Sequence, residues 1–174
     1  MRLASHASNP RGFTIVELVI VIVLLGILSV AAVSRMMSPS DFTPGMVSAT
    51  TASQFRYARA LAFAREDTSV QFMLTIVGGD WQMTSSTSVD GTLRSEQVEQ
   101  GDTTVELVNG GISGSVTALE PLLITFASDG GLAAASLGTQ SLDPGLGLRL
   151  QISGASSRLL CVYPNGYLLT ADCV

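Results

Sequence analysis

Phe13 to Val33 is a run of 21 residues with a single charge, and that charge is a carboxylate, Glu17. An acid at the centre of a bilayer costs about 2.5–3.5 kcal/mol, less near an edge, so Glu17 inside an apolar run points to a specific partner. Four residues before it stands the step Gly12-Phe13, preceded by Arg11. Other residues with chemical reach are few. The single histidine, His6, lies within the first twelve residues, and lysine is absent. A chain that has lost those twelve residues cannot build a Ser-His-Asp or Cys-His site, a Schiff base or a His-ligated zinc centre. The 14 acids are scattered through polar, turn-like stretches, with no pair spaced for general acid and base work. No catalytic group, metal centre or cofactor is expected, and the protein reads as structural rather than enzymatic. What remains is a buried acid in need of a counter-charge and two cysteines, Cys161 and Cys173.

The elements that position these residues follow from the pattern. At 174 residues the chain has room for one domain and an anchor. Residues 1–12 are short, polar and weakly basic, an address rather than a folding unit. Residues 13–37 read as a transmembrane helix, because the 21 residues from Phe13 to Val33, with one charge among them, at about 1.5 Å each span a hydrocarbon core of roughly 30 Å. Arg2 and Arg11 place the start in the cytoplasm and the rest outside it, a bias weakened by Arg35 just past the run. Ser38-Pro39-Ser40-Asp41 and Pro44-Gly45 predict a kink or break between Ser38 and Gly45. Residues 38–66 then continue as an amphipathic helix, regular from Met46 to about Glu66. Val47, Phe55, Ala58 and Ala62 fall near one face with Thr51 between them. Arg56, Arg59 and Arg65 read as a solvated face in preference to a docking patch, with Arg65 near the C-terminus.

Residues 67–174 have β character. Val70 to Val77, Gly78-Gly79-Asp80, then Trp81 to Thr84 predict a hairpin with a glycine turn and a core-facing Trp81. Short strands are expected at Val105–Val108, Leu122–Ala127, Leu132–Ser136, Leu146–Ile152 and Arg158–Tyr163. Asn109-Gly110-Gly111, Asp129-Gly130-Gly131 and Asn165-Gly166 punctuate them. The pattern indicates an antiparallel sheet or sandwich. Thr84 to Gly101, rich in Ser, Thr and acids, is expected to hold a mobile loop beside any edge strand. The glycine clusters lack any phosphate-binding arrangement. In an extracytoplasmic domain the isolated pair Cys161 and Cys173 predicts a disulfide contributing about 2–3 kcal/mol, with two reduced core thiols as the alternative. A two-residue turn at Asn165-Gly166 sets Cys161 opposite Thr170, so such a bridge needs a bulge, a wider loop or a returning tail.

Removing Arg2 and Arg11 from the nine basic residues leaves seven arginines against 14 acids, a formal side-chain charge of −7. An acidic surface argues against nucleic acid as a partner. The string Arg11-Gly12-Phe13-Thr14-Ile15-Val16-Glu17-Leu18 and its apolar run resemble the class III signal of type IV prepilins and type II secretion pseudopilins. The resemblance implies that a prepilin peptidase cuts between Gly12 and Phe13 and methylates the new Phe13 amine. It also implies that Glu17 is neutralised in a filament by the terminal amine of a neighbouring subunit. Leu61-Ala62-Phe63-Ala64-Arg65, Val70 to Leu74, Trp81, Ile124-Thr125-Phe126 with Asp129-Gly130, and the Gly166 hairpin resemble the GspH/FimT group of minor pilins and pseudopilins.

The fold implied is α+β and pilin-like, a long N-terminal hydrophobic assembly helix packed on a C-terminal antiparallel β-sheet domain. The function implied is that of a minor pilin incorporated into a type IV pilus, or priming its assembly. The cysteine pair points to the mannose-sensitive haemagglutinin kind; the alternative is the H-type minor pseudopilin of a type II secretion system. Implied partners are other pilin or pseudopilin subunits, prepilin peptidase, an inner-membrane assembly platform and membrane lipid. The implied location is a single pass of the inner membrane with the C-terminal domain in the periplasm, then the filament or its tip. Major pilins carry a proline where Ser34 and its neighbours stand, and this chain departs from them there.

Other readings stay open. In an ordinary anchor, Glu17 lies about 6 Å along the helix from Phe13 and snorkels to the interface. A secretory signal peptide cut after Ser29-Val30-Ala31 gives a mature start at Ala32, against which count the internal charge and the length of the run. A DNA-binding or adhesive tip receptor predicts binding by the isolated domain, and a periplasmic enzyme comes last.

Overall fold

The computed structural model of the chain describes residues 14–36, 42–65 and 69–170, the side chains of 29–36 excepted. The chain divides into two compact units, residues 1–38 and 39–174.

The first unit contains one helix, α1 (Ile15–Met36). Isoleucine and valine are middling helix formers, and an apolar stretch of them with no proline and one glycine, Gly26, satisfies its backbone groups internally as a helix. Every residue from Ile15 to Leu28 is exposed within the single chain. A helix that is apolar all round belongs in an apolar surrounding. Among the described residues no helix is long and apolar enough to cross a membrane. The described side chains of α1 run from Ile15 to Leu28, about 21 Å of helix against a core of roughly 30 Å. The rest of the expected 13–37 span lies outside them.

The second unit opens with α2 (Thr43–Ala64). Pro44 sits in its first turn, where a missing N–H leaves nothing unpaired. The expected break therefore does not extend to Gly45, and residues 38–41 lie outside the described set. Val47, Thr51, Phe55, Ala58 and Ala62 are buried along one face as the spacing predicts, joined by Gln54, a polar residue with no exposure. Phe55 meets Phe72 edge-on at 5.8 Å and Phe126 at 4.9 Å.

Among the described residues eleven strands follow, in two sheets. The first is formed by β1 (Val70–Val77), β2 (Asp80–Thr87), β3 (Gly91–Glu99), β6 (Leu122–Phe126), β7 (Leu132–Leu137) and β8 (Gln140–Leu142), in the order β3-β2-β1-β6-β7-β8. The second is formed by β4 (Thr104–Asn109), β5 (Ile112–Ser115), β9 (Leu148–Ser153), β10 (Ser157–Val162) and β11 (Leu168–Leu169), in the order β11-β10-β9-β4-β5. All pairings are antiparallel. The expected glycine hairpin is present: Val77 pairs with Asp80 across Gly78 and Gly79, whose φ values of 64° and 91° suit the primed turns that match strand twist. Alternate residues of both sheets, with the buried face of α2, form one core that includes Phe72, Leu74, Trp81, Leu107, Ile124, Leu150 and Leu160. Every residue of that core lies between Val47 and Leu168, so the 39–174 unit carries its own.

Two expectations are corrected. The stretch Thr84 to Gly101 holds less loop and more strand than expected: it is the end of β2, a three-residue turn and the edge strand β3, with a bulge at Ser85/Ser86. Backbone pairing to β2 offsets a composition whose side chains bury little, as suits an edge strand. Asn109, expected only as turn punctuation, is 2 % exposed. Its Nδ2 donates to the carbonyls of Asp143 (2.8 Å) and Gly147 (2.6 Å), and its Oδ1 accepts from the Asp143 N–H (2.8 Å). It brackets the 3₁₀ turn Pro144–Leu146 against the end of β4.

Candidate functional site

The start of α1 is set by Thr14. Its carbonyl accepts from the N–H groups of Glu17 (3.1 Å) and Leu18 (3.2 Å), and its Oγ1 also accepts from Glu17 N–H, at 3.3 Å. Threonine followed three residues later by glutamate is the capping-box spacing, and here the hydroxyl half of it is made. The arrangement supplies an acceptor to a first-turn N–H that has no partner within the helix. It also sets Glu17 in the first turn, where a negative charge complements the helix dipole by about 0.3–1 kcal/mol.

Glu17 is exposed, and no ion pair to it occurs among the described residues. The carboxylate is thus held at a fixed place on the helix without a cation of its own. Gly12 and Phe13, the expected cleavage step, lie outside the described residues.

The cysteines belong to the second unit. Cys161 lies in β10, 3 % exposed, opposite Arg149 on one side and Leu169 on the other. It is not a free thiol. Cys173, its expected partner, lies outside the described residues. The β10–β11 connection differs from the two-residue turn expected. Tyr163 N–H donates to Tyr167 O (2.8 Å), which makes Pro164-Asn165-Gly166 a three-residue loop, so Cys161 faces Leu169 and not Thr170. Gly166, at φ 71°, supplies the left-handed position that such loops require.

Of the three arginines expected on a solvated face, Arg56 is exposed as expected, whereas Arg59 and Arg65 have partners. Arg59 donates from Nε to Gly130 O (3.2 Å) and from Nη2 to Asn165 O (3.2 Å), while its guanidinium lies 5.2 Å from the centre of the Phe63 ring. It ties the helix to two turns that are 71 and 106 residues away. Arg65 pairs with Asp90 in the β2–β3 turn. Arg56 makes no ion pair among the described residues. Trp81 is fully buried, as expected. Nothing in the residue types announces the Arg59 role, since its partners are backbone carbonyls remote in sequence. No group of three or more metal-ligating side chains occurs among the described residues.

Residues 7–33 match a family model described as the prokaryotic N-terminal methylation motif. That segment contains Gly12, Phe13, Thr14 and Glu17, and it makes the start of the chain type IV prepilin-like. The motif fits a membrane-anchored protein of that type. No curated protein and no solved structure matches the chain.

Proposed function

We propose that the chain is a minor pilin. On this reading prepilin peptidase cuts between Gly12 and Phe13 and methylates the Phe13 amine. The apolar segment beginning at Phe13 then holds the subunit in the inner membrane until it enters a type IV pilus, or primes one. The observation that carries the reading is the coincidence of the methylation motif over 7–33 with a capped helix exposing apolar side chains on all sides and, in its first turn, an acid with no ion pair among the described residues.

Outside the membrane an exposed helix of this kind gains by packing against others like it, at about 25 cal/mol per Å² of apolar surface removed from water. Glu17 gains by meeting the positive amine of a neighbour in the same apolar surrounding, which fixes the stagger between subunits. The 39–174 unit is the outward-facing part, in the periplasm and then on the filament. It acts as a structural body rather than a catalyst, and residues 39–174 hold neither histidine nor lysine. A bridge from Cys161 to Cys173 fastens the last residues to β10.

The test is the intact mass of the protein extracted from membranes. A chain beginning at N-methylated Phe13 is the expected result; a chain beginning at Ala32 makes the apolar run a removed signal peptide and ends the proposal.

A further inference from the structure

The 39–174 unit has two unlike ends. At one, the register Val77↔Asp80↔Glu99 sets two carboxylates and an aliphatic side chain in one row on one face of the first sheet. Like charges directly opposite each other on neighbouring strands repel. No cation meets either carboxylate among the described residues. Val77 beside them is 47 % exposed. Nothing within the domain gains from this corner, and a cation and an apolar surface from outside would relieve it.

At the other end the C-terminal half of α2 and the β10–β11 loop enclose a groove of about 270 Å³, whose lining includes Arg56, Ala60, Phe63, Tyr167 and Leu168. Phe63 is 53 % and Tyr167 52 % exposed. The guanidinium of Arg59 is occupied by two carbonyls, and that of Arg56 has no counter-charge among the described residues.

The ends are far apart. Glu99 stands two residues before Gly101, where an added Cβ would lie 3.8 Å from Thr43 Oγ1 at the start of α2. Arg56 and Phe63 follow Thr43 by 13 and 20 residues, roughly 20–30 Å along the helix. One copy therefore cannot close its corner onto its own groove.

We propose that these surfaces are the two halves of one head-to-tail contact between copies of this chain. Val77 of one copy enters the apolar groove of the next, and Asp80 and Glu99 meet Arg56. Because the joined surfaces are different and lie at opposite ends, repetition gives an open chain of copies and not a closed dimer. The contact involves neither α1 nor its processing, so it fails or holds separately from the reading above.

The test uses residues 39–174, which carry their own core. Ala60→Cys and Val77→Cys lie at exposed positions, one on each surface. Upon oxidation the doubly substituted protein should give a ladder of dimers, trimers and longer species, and an equal mixture of the single variants should stop at a dimer. Arg56→Glu should lower the cross-linked yield about tenfold at low ionic strength, since like charges then face each other. Arg56→Glu combined with Asp80→Arg and Glu99→Arg should restore it. Unsubstituted protein should show salt-sensitive self-association by sedimentation velocity. The proposal is overturned if singly substituted proteins with unaltered circular dichroism give no mixed cross-link, or if Ala60→Cys links to itself as readily as to Val77→Cys. It is equally overturned if Arg56→Glu leaves the yield unchanged.

Discussion

Gly166→Ala tests how α2 is held to the turns at its C-terminal end. Gly166 has φ 71°, and a Cβ there would fall inside contact distance of the Gly130 carbonyl oxygen and 3.0 Å from Arg59 Nε. Two costs arise. The left-handed backbone costs a non-glycine residue about 1–2 kcal/mol. The collision is with backbone, so the 164–166 loop must move away from Gly130, and Arg59 can no longer reach both Gly130 O and Asn165 O. Charged hydrogen bonds contribute about 1.5–3 kcal/mol when buried. One of these is part-buried and one exposed, so together they are discounted to about 2 kcal/mol. The total is about 3–4 kcal/mol, which for a domain of this size corresponds to a fall of about 10 °C in Tm. Gly79→Ala is the comparison. Gly79 also has positive φ, 91°, but nothing lies within 4 Å of its Cβ position, so only the backbone cost of about 1–2 kcal/mol applies, or about 3–6 °C. Thermal unfolding of residues 39–174 followed by circular dichroism measures both. Equal shifts for the two variants would refute the close approach and, with it, the clamp.

Four further outcomes are expected. Phe55→Ala removes a ring packed edge-on against two others and should cost about 3–5 kcal/mol in urea unfolding; a loss under about 2 would mean that the core collapses around the site. Arg65→Ala breaks a pair whose side chains are each 40 % exposed and should cost under about 1 kcal/mol, a shift of Tm barely above error. Reductant should lower the stability of residues 39–174 by about 2–3 kcal/mol and should leave Cys161→Ser unaffected; an unmoved midpoint in the unsubstituted protein would remove the proposed staple. Glu17→Ala should insert in the membrane as before and be depleted from sheared filaments, and normal incorporation would separate the acid from assembly.

What could be read from the sequence divides by the range of the interactions. The Gly78-Gly79 hairpin was legible because both of its signals are local: alternation along Val70–Val77 and two residues free to take positive φ. The buried face of α2 was legible because Val47, Phe55, Ala58 and Ala62 obey a helical period. The strand β3 was not, since an edge strand needs little apolar content: its backbone pairs with β2 while Arg94 and Glu96 face solvent and each other at 2.8 Å. Position 166 shows the same divide within one loop. Glycine there announced a turn, but the turn's length was set by Tyr163 and Tyr167 closing around Pro164, and so was the partner of Cys161. Arg59 was the least legible. A guanidinium on a helix is equally suited to solvent, to a carboxylate or to a carbonyl, and only the folded chain brings Gly130 and Asn165 beneath it.

The same reasoning sets the 7–33 segment apart. On the proposed function its signal is legible because the reader it addresses is another protein, a peptidase for which Gly12, Phe13 and Glu17 form one short string. A signal of that kind carries its meaning locally, whereas Arg59 and Asn109 acquire theirs from the fold.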